Sequence, residues 1–558
     1  MKTIKYLSYT LAMLLIFTAC EQELIELKDS DPDMTNIDTE PNCEGATAGS
    51  ADFSKFIAIG NSFVAGVQGG ALFTAGQNNS LAAILNNQFE CVGAPEEFNQ
   101  PDIGASLGWN LFITQPILSD PTKPVIGRLL LQYGTTPDCS TGEVSPKPTP
   151  QMYGAGELQA VPNPAVNPAF IYSGEKSELN NFAVPAIVLG QSLISQTGAW
   201  AGAQTDPAFN PFYARLAYPG TGTSTIIGDA AAAGGSFFLF WLGLDDFFLH
   251  AAFGGDPTKA PLTNALAFNG QYDAAIGALL GSNPDLKGVV GNFPNIFAMP
   301  HFTAVAYNPI PLDANTAGAV SAGFAGYNMA LDGLLANAEA FGISEPLQAE
   351  IATRKVTYEA SCTNKILLVD ETLTDLGDYF DGLLGVGAIN ADQRAALAPF
   401  EQVRQSTSDD IIPLSTGSVL GTLLGGDQTK VMGVTVPVGD QYVLIPSEIQ
   451  EIEATRTAYN QTVASVVNAN AERLALANIE AGYGALVGSQ AAIINGITIT
   501  PNINPPTGIY SEDGVHPNSR GYAFTANIFI DAINAKFGST IPKVNLAKYS
   551  ATGLPINP

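Results

Sequence analysis

A serine, an aspartate and a histidine stand at positions from which one reactive site can be built. Gly60-Asn61-Ser62-Phe63 closes a short apolar run near the start of the globular part, and Asp513-Gly514-Val515-His516-Pro517 lies near the other end. A serine hydroxyl is inert until a neighbouring base takes its proton. Near neutral pH that base is most often histidine, and the chain has only three: His250, His301 and His516. Only His516 has a carboxylate three positions earlier in a loop punctuated by glycine and proline. One loop can then present both groups. Ser62 would be the nucleophile, His516 the base and later the acid, and Asp513 the group that fixes the imidazole tautomer and stabilises its cation. The plainer alternative makes Ser62 a turn residue, His516 a helix-entry residue and Asp513 a loop cap. His250 and His301 read as packed or surface histidines.

The elements that must position these groups alternate between buried strands and helices. Phe56 to Ile59 reads as a strand ending at Gly60, and Leu81 to Phe89 as a helix. Gly235 to Gly243 is an almost unbroken apolar run, which suits a strand buried on both faces of a parallel sheet. Asn264 to Leu280 reads helical, Gly288 to Asn292 as another buried strand, Lys365 to Val369 as a further one, and Ile449 to about Leu474 as a long helix. The run Leu474 to Ile479 stays open between strand and helix. Tyr522, Ala526, Phe529, Ile533 and Phe537 mark one face of a final helix, capped by Asn518 or Ser519 and closed by Gly538. Such alternation argues for an α/β fold with a parallel sheet. Ligands in open sheets of this kind sit at the carboxyl ends of the strands, where Ser62 and Asp245 both fall. From about Gly93 to residue 175 the chain is rich in proline and glycine, too long for a simple connector, with one strand expected over Val125 to Tyr133. Residues 305–500 are either a helical elaboration or an extension of the sheet.

At this point the residues resemble a family. Phe56-Ile-Ala-Ile-Gly-Asn-Ser-Phe63, Asn181-Phe-Ala-Val-Pro-Ala186, Leu242-Gly-Leu-Asp-Asp246 and Asp513-Gly-Val-His516 are similar, in order, to the blocks of the GDSL or SGNH hydrolases, in particular to lipoprotein-type members. The resemblance implies a flavodoxin-like three-layer α/β/α fold over 53–540 and a serine ester hydrolase working through an acyl-enzyme without cofactor or metal. It assigns Ser62, Asp513 and His516 as catalytic, and an oxyanion hole to the backbone amides of Ser62 and Ala186. The family's remaining donor is an asparagine amide, and Asp245 occupies that position. An ionised carboxylate accepts hydrogen bonds but cannot donate them. Asp245 is therefore protonated in an apolar pocket, or the backbone donors suffice, or the site is feeble. Ala186 replaces a glycine, and Asn61 replaces the aspartate beside the nucleophile.

The N-terminus reads as an export signal. Lys2 and Lys5 precede an apolar run from Leu7 to Phe17, and Thr18-Ala19-Cys20 ends it. The run is too short to span a bilayer comfortably. It resembles a bacterial lipoprotein signal over 1–19, which implies lipidation of Cys20 and a place in the cell envelope, as an outer-membrane lipoprotein; an ordinary secretory signal is the alternative. Residues 20–52 are polar and acidic and read as a tether, and 541–558 as a C-terminal tail. Within the tether Asp29, Asp31, Asp33 and Glu40 fall at calcium-loop spacing, but Met34 stands where such a loop needs glycine.

Lys and Arg number 23 against 52 Asp and Glu, a formal charge of -29. Phosphate binding needs a basic face, so nucleic acid is excluded as a partner class. The expected partners are a membrane, through the lipid anchor, and a small-molecule, lipid or acylated-glycan ester. The non-catalytic alternative is a surface lipoprotein that binds glycan or lipid in the same cleft. In an oxidising compartment Cys43, Cys91, Cys139 and Cys362 tend to pair, with three connectivities open. The acidic stretch Asp370 to Asp381 reads as a solvated helix face rather than a metal site.

Overall fold

The computed structural model describes residues 40–110, 126–134, 139, 141–152, 171–202, 206–217 and 223–554. The expected signal, Cys20 and most of the tether lie outside them. The centre is a four-stranded parallel sheet. Its strands are β1 (Phe56–Gly60), β4 (Phe237–Trp241), β5 (Lys287–Gly291) and β6 (Leu474–Ala477), adjacent in that order. Between β1 and β4 in sequence lies a hairpin of β2 (Ile126–Tyr133) and β3 (Pro146–Met152). The extended segment 180–184 runs along the free edge of β1, where Phe182 and Val184 N–H donate to the carbonyls of Ala58 and Gly60.

Helices cover both faces of the sheet, and the alternation of side chains along β4 shows how. Phe237 and Trp241 turn one way, against Phe537 and Phe529 of α8 (Ser519–Phe537). Phe240 turns the other way, against Tyr272 of α5 (Ala265–Ser282). A strand buried on both faces has no polar alternation to show, which is why Phe-Phe-Leu-Phe-Trp is wholly apolar. Helix α2 (Leu81–Glu90) packs beside α8, α3 (Ile226–Ala232) and α7 (Pro446–Ala469) pack against α5, and α4 (Asp245–Ala252) packs against α7. Among the described residues no helix is long and apolar enough to cross a membrane.

Several expectations need correction. The tether does not extend to residue 52: Thr47 and Thr540 exchange hydrogen bonds, Ser50 N–H donates to Phe537, and Ala51 and Phe53 are in the core. The tail from 541 is likewise not free, since Ile541, Val544, Leu546 and Tyr549 are buried in the same core. Residues 305–500 are not one unit. Side chains from Ile310 to Ile445 form a second hydrophobic cluster, whereas α7 and β6 belong to the main one. The strand expected at Lys365 to Val369 lies in the second unit, where Leu367–Val369 pairs antiparallel with Val403–Gln405. Asp370 is not on a solvated helix face. It is buried and bonds Arg404, whose fork also takes Asp410, and the helix there spans only Gly377–Gly385.

The cysteines pair as Cys43–Cys91 and Cys139–Cys362. The first closes the N-terminal segment onto the end of α2. The second joins the chain between β2 and β3 to the inserted unit.

Candidate active site

Nucleophile, base and acid are brought to the carboxyl ends of β1 and its neighbours by tight local structure. After Gly60 the chain turns at once into α1 (Ser62–Ala65), a four-residue helix whose N-cap is Asn61. The turn has no room for a side chain at Gly60, because a Cβ there would lie 2.3 Å from Val64 and 2.8 Å from the Trp241 carbonyl. Asn61 accepts from Phe63 N–H at 3.2 Å, as short polar caps do. Ser62 is thereby fixed on the outgoing face of the turn.

The second loop is organised by its own acid. Asp513 Oδ1 accepts from the N–H groups of Val515 and His516, both at 2.8 Å, which curls the three-residue spacing into a closed turn. Asp513 Oδ2 accepts from Gly70 N–H at 2.5 Å and lies 2.8 Å from His516 Nδ1. His516 Nε2 lies 2.8 Å from Ser62 Oγ. Ser511 steadies the turn by bonding the His516 carbonyl at 2.9 Å, and Asn518 begins α8 by accepting from Gly521 N–H at 3.0 Å. Phe63 covers the imidazole, the ring centroids being 4.9 Å apart. Ser62, Asp513 and His516, expected from sequence, thus form one continuous hydrogen-bonded chain. All three are buried, at 3%, 5% and 2% exposure, so charge developing among them is little screened by water.

Burial alone would raise the Asp513 carboxyl, but the His516 imidazole beside it and the hydrogen bonds it accepts hold it below the ordinary carboxylate value. It is therefore the ionised partner that a histidine Nδ1–H needs.

The segment that carries Ala186 is tied to the strand before the nucleophile, Val184 N–H donating to the Gly60 carbonyl at 2.9 Å. Ala186 adopts φ 52°, the left-handed region that favours glycine, which accounts for the residue type expected there. Among the described residues neither the Ser62 nor the Ala186 N–H meets an acceptor. Asp245 has both oxygens engaged as acceptors. Its Oδ1 accepts from Asn61 Nδ2 at 2.9 Å and its Oδ2 from Ile187 N–H at 3.1 Å.

One neighbour went unread in the sequence, and another, read as a packed or surface histidine, proves to be packed. Gly70 donates a backbone N–H to the acid, and no side chain advertises that. His301, on α6 (Pro300–Thr303), is buried against the acid's loop, its own N–H donating to the Gly514 carbonyl at 2.9 Å. Gly514 has φ 71° and would place a Cβ 2.8 Å from His301 N, so glycine is required at that contact. Burial lowers the His301 pKa to about 4, with Asp513 opposing and His516 adding to the shift. It is a neutral packing residue. His250 is buried with Nδ1 2.7 Å from the Ala260 carbonyl, away from these contacts.

Burial also pushes three carboxyls close to the site up to about 7. For Asp245 the shift is opposed by His516, Asn61 and Ile187; for Asp246 by the Leu189 N–H and Thr263; for Glu512 by its own backbone N–H and Arg128. Each folded-state value is above the unfolded one, so the folded protein holds protons that the unfolded chain releases between about pH 4 and 7. Their stabilisation is complete below the unfolded value and is lost as pH rises through about 7. The lowered His301 acts oppositely, costing stability as pH falls below its unfolded value, but it is one group against three. A melting series should therefore give a higher transition temperature near pH 5.5 than near pH 8; equal or reversed values would contradict these burials.

Among the described residues one acidic group converges closely enough to hold a cation. Glu371, Asp440 and Glu448 bring oxygens within 4.8 Å of one another. Burial first, and then mutual repulsion, raises Asp440 to about 6 and Glu448 to about 9, which lets the group relieve its charge by keeping protons. It joins the inserted unit to α7, on which Glu448 stands.

Compared with protein-family models, with curated proteins and with solved structures, the chain shows no match.

Proposed function

We propose that the protein is a serine ester hydrolase of the SGNH kind, built on a flavodoxin-like three-layer fold, exported and held to the cell envelope by a lipid on Cys20. The observation that carries the reading is the 2.8 Å contact of Ser62 Oγ with His516 Nε2, continued at 2.8 Å from His516 Nδ1 to Asp513. In this reading His516 takes the Ser62 proton as the oxygen attacks the ester carbonyl. The negative charge that develops on the carbonyl oxygen meets the unengaged N–H groups of Ser62 and Ala186. Collapse of the tetrahedral intermediate expels the alkoxide, which receives the proton from His516. A water, activated by the same imidazole, then releases the acid and regenerates Ser62. Asp513 keeps the proton on Nδ1 throughout. No cofactor enters these steps. The substrate class is a carboxylic ester, of a lipid, an aryl or short-chain alcohol, or an acylated glycan.

A second reading, a surface lipoprotein whose cleft binds glycan or lipid without turnover, draws support from Asp245, both of whose oxygens are already hydrogen-bonded as acceptors. A fluorophosphonate probe separates the two. It should label the intact protein on the peptide carrying Ser62, because only an activated hydroxyl attacks such a probe. Absence of labelling in folded protein would favour the binding lipoprotein.

A further inference from the structure

Asp245 holds together the two loops whose free amides must converge. One of its hydrogen-bond donors, the Asn61 amide, belongs to the residue before the nucleophile. The other, Ile187 N–H, belongs to the residue after Ala186. Asn210 grips the same turn from behind, donating from Nδ2 to the carbonyls of Pro185 and Ala186 at 2.9 and 3.3 Å. Asn61, Asp245 and Asn210 are all buried, so these bonds do not compete with bulk water. Asn61 uses its other end, Oδ1, to cap α1; its amide orientation is therefore fixed, and the group facing it must be an acceptor.

Resting on the hydrolase reading, we infer that Asp245 is a positioning residue rather than an oxyanion donor. Its carboxyl couples the nucleophile turn to the 185–187 turn, so that the Ser62 and Ala186 N–H groups aim at one point, and Asn61 is its dedicated partner. Compared with the pattern that the resemblance implies, an amide and a carboxylate have traded places across one hydrogen bond. The site loses a side-chain donor and gains a rigid link between its two backbone donors.

The trade makes the inference testable by reversing it. In Asp245→Asn, the new side chain has one acceptor for two donors; if it serves Ile187, its NH2 confronts the Asn61 NH2. In Asn61→Asp, two carboxyls face each other. In N61D/D245N the carbonyl of the new amide accepts from Ile187 while its NH2 donates to the new carboxyl, so both links return. Each single variant should lose about 10- to 100-fold in kcat with KM little changed, the scale on which small misplacements near a reacting centre act. The double exchange should recover to within about 5-fold of the parent, a coupling that contacting pairs show and independent sites do not. A gain in rate for Asp245→Asn alone, or a double exchange no better than the worse single, would overturn the inference.

Fluorophosphonate labelling of the parent protein is run alongside. If Ser62 is not labelled, the hydrolase reading is what fails. The pairing is then judged from melting temperatures of the same four proteins: reciprocal rescue of stability upholds the link between the loops, and additive losses reject it.

Discussion

Replacing Ser62 by alanine should lower ester turnover by about 10⁶-fold, the loss typical when a triad's nucleophile is removed, and should abolish fluorophosphonate labelling. The fold should persist. Ser62 sits on a four-residue helix capped by Asn61, and among the described residues its side chain bonds only His516 Nε2. Losing that bond costs about 1 kcal/mol, small beside the main core that surrounds the sheet. The experiment pairs steady-state hydrolysis of aryl esters of several chain lengths with a melting curve of parent and variant. Loss of turnover at an unchanged melting temperature fits the nucleophile role. Turnover retained in the alanine variant would end the hydrolase reading, whatever the geometry of the remaining pair. Dependence on chain length in the parent would narrow the ester class.

Much of this site was legible because its parts are local. A short apolar run ended by glycine places Ser62, and a three-residue spacing lets one carboxylate accept two following N–H groups while reaching the histidine ring. The final helix shows its buried face by period. Where pairing decides instead of pattern, legibility ends. Leu474 to Ala477 could have continued the preceding helix; the run becomes a strand by joining β5, with Leu474 opposite Gly288 and Ala477 opposite Gly291. Pro146–Met152 gives no strand signal, yet it pairs with β2. Pro146, Pro148 and Pro150 lie opposite Tyr133, Leu131 and Leu129, so each proline falls on every second residue, where the missing N–H can face away from the ladder. The second hydrophobic cluster has no local signature, since it depends on which distant side chains meet. Asp245 shows the limit most clearly. Its residue type revealed that a donor was missing, but the two N–H groups it accepts come from residues 184 and 58 positions away in the chain.

Asp513→Asn is the other large effect expected, a fall in kcat of about 10⁴-fold, on the scale of such a change in a serine triad. The carboxylate accepts on both oxygens: from Val515 and His516 N–H on Oδ1, and from Gly70 N–H beside the His516 ring on Oδ2. An asparagine can keep only one oxygen. If its oxygen replaces Oδ1, holding the turn, its NH2 faces both the Gly70 N–H and His516 Nδ1. The ring must then offer Nδ1 as an acceptor and carry its proton on Nε2, where it can no longer accept from Ser62. If the amide flips, the turn loses two backbone bonds and the imidazole is misplaced. Either outcome disables the base, and neither changes the bulk of the side chain. The first preserves the fold and places the wrong tautomer in the site; the second lowers the melting temperature as well. Ring-nitrogen NMR of His516 distinguishes them, and a variant with parental kcat would show that Asp513 is a loop cap and not part of the chemistry.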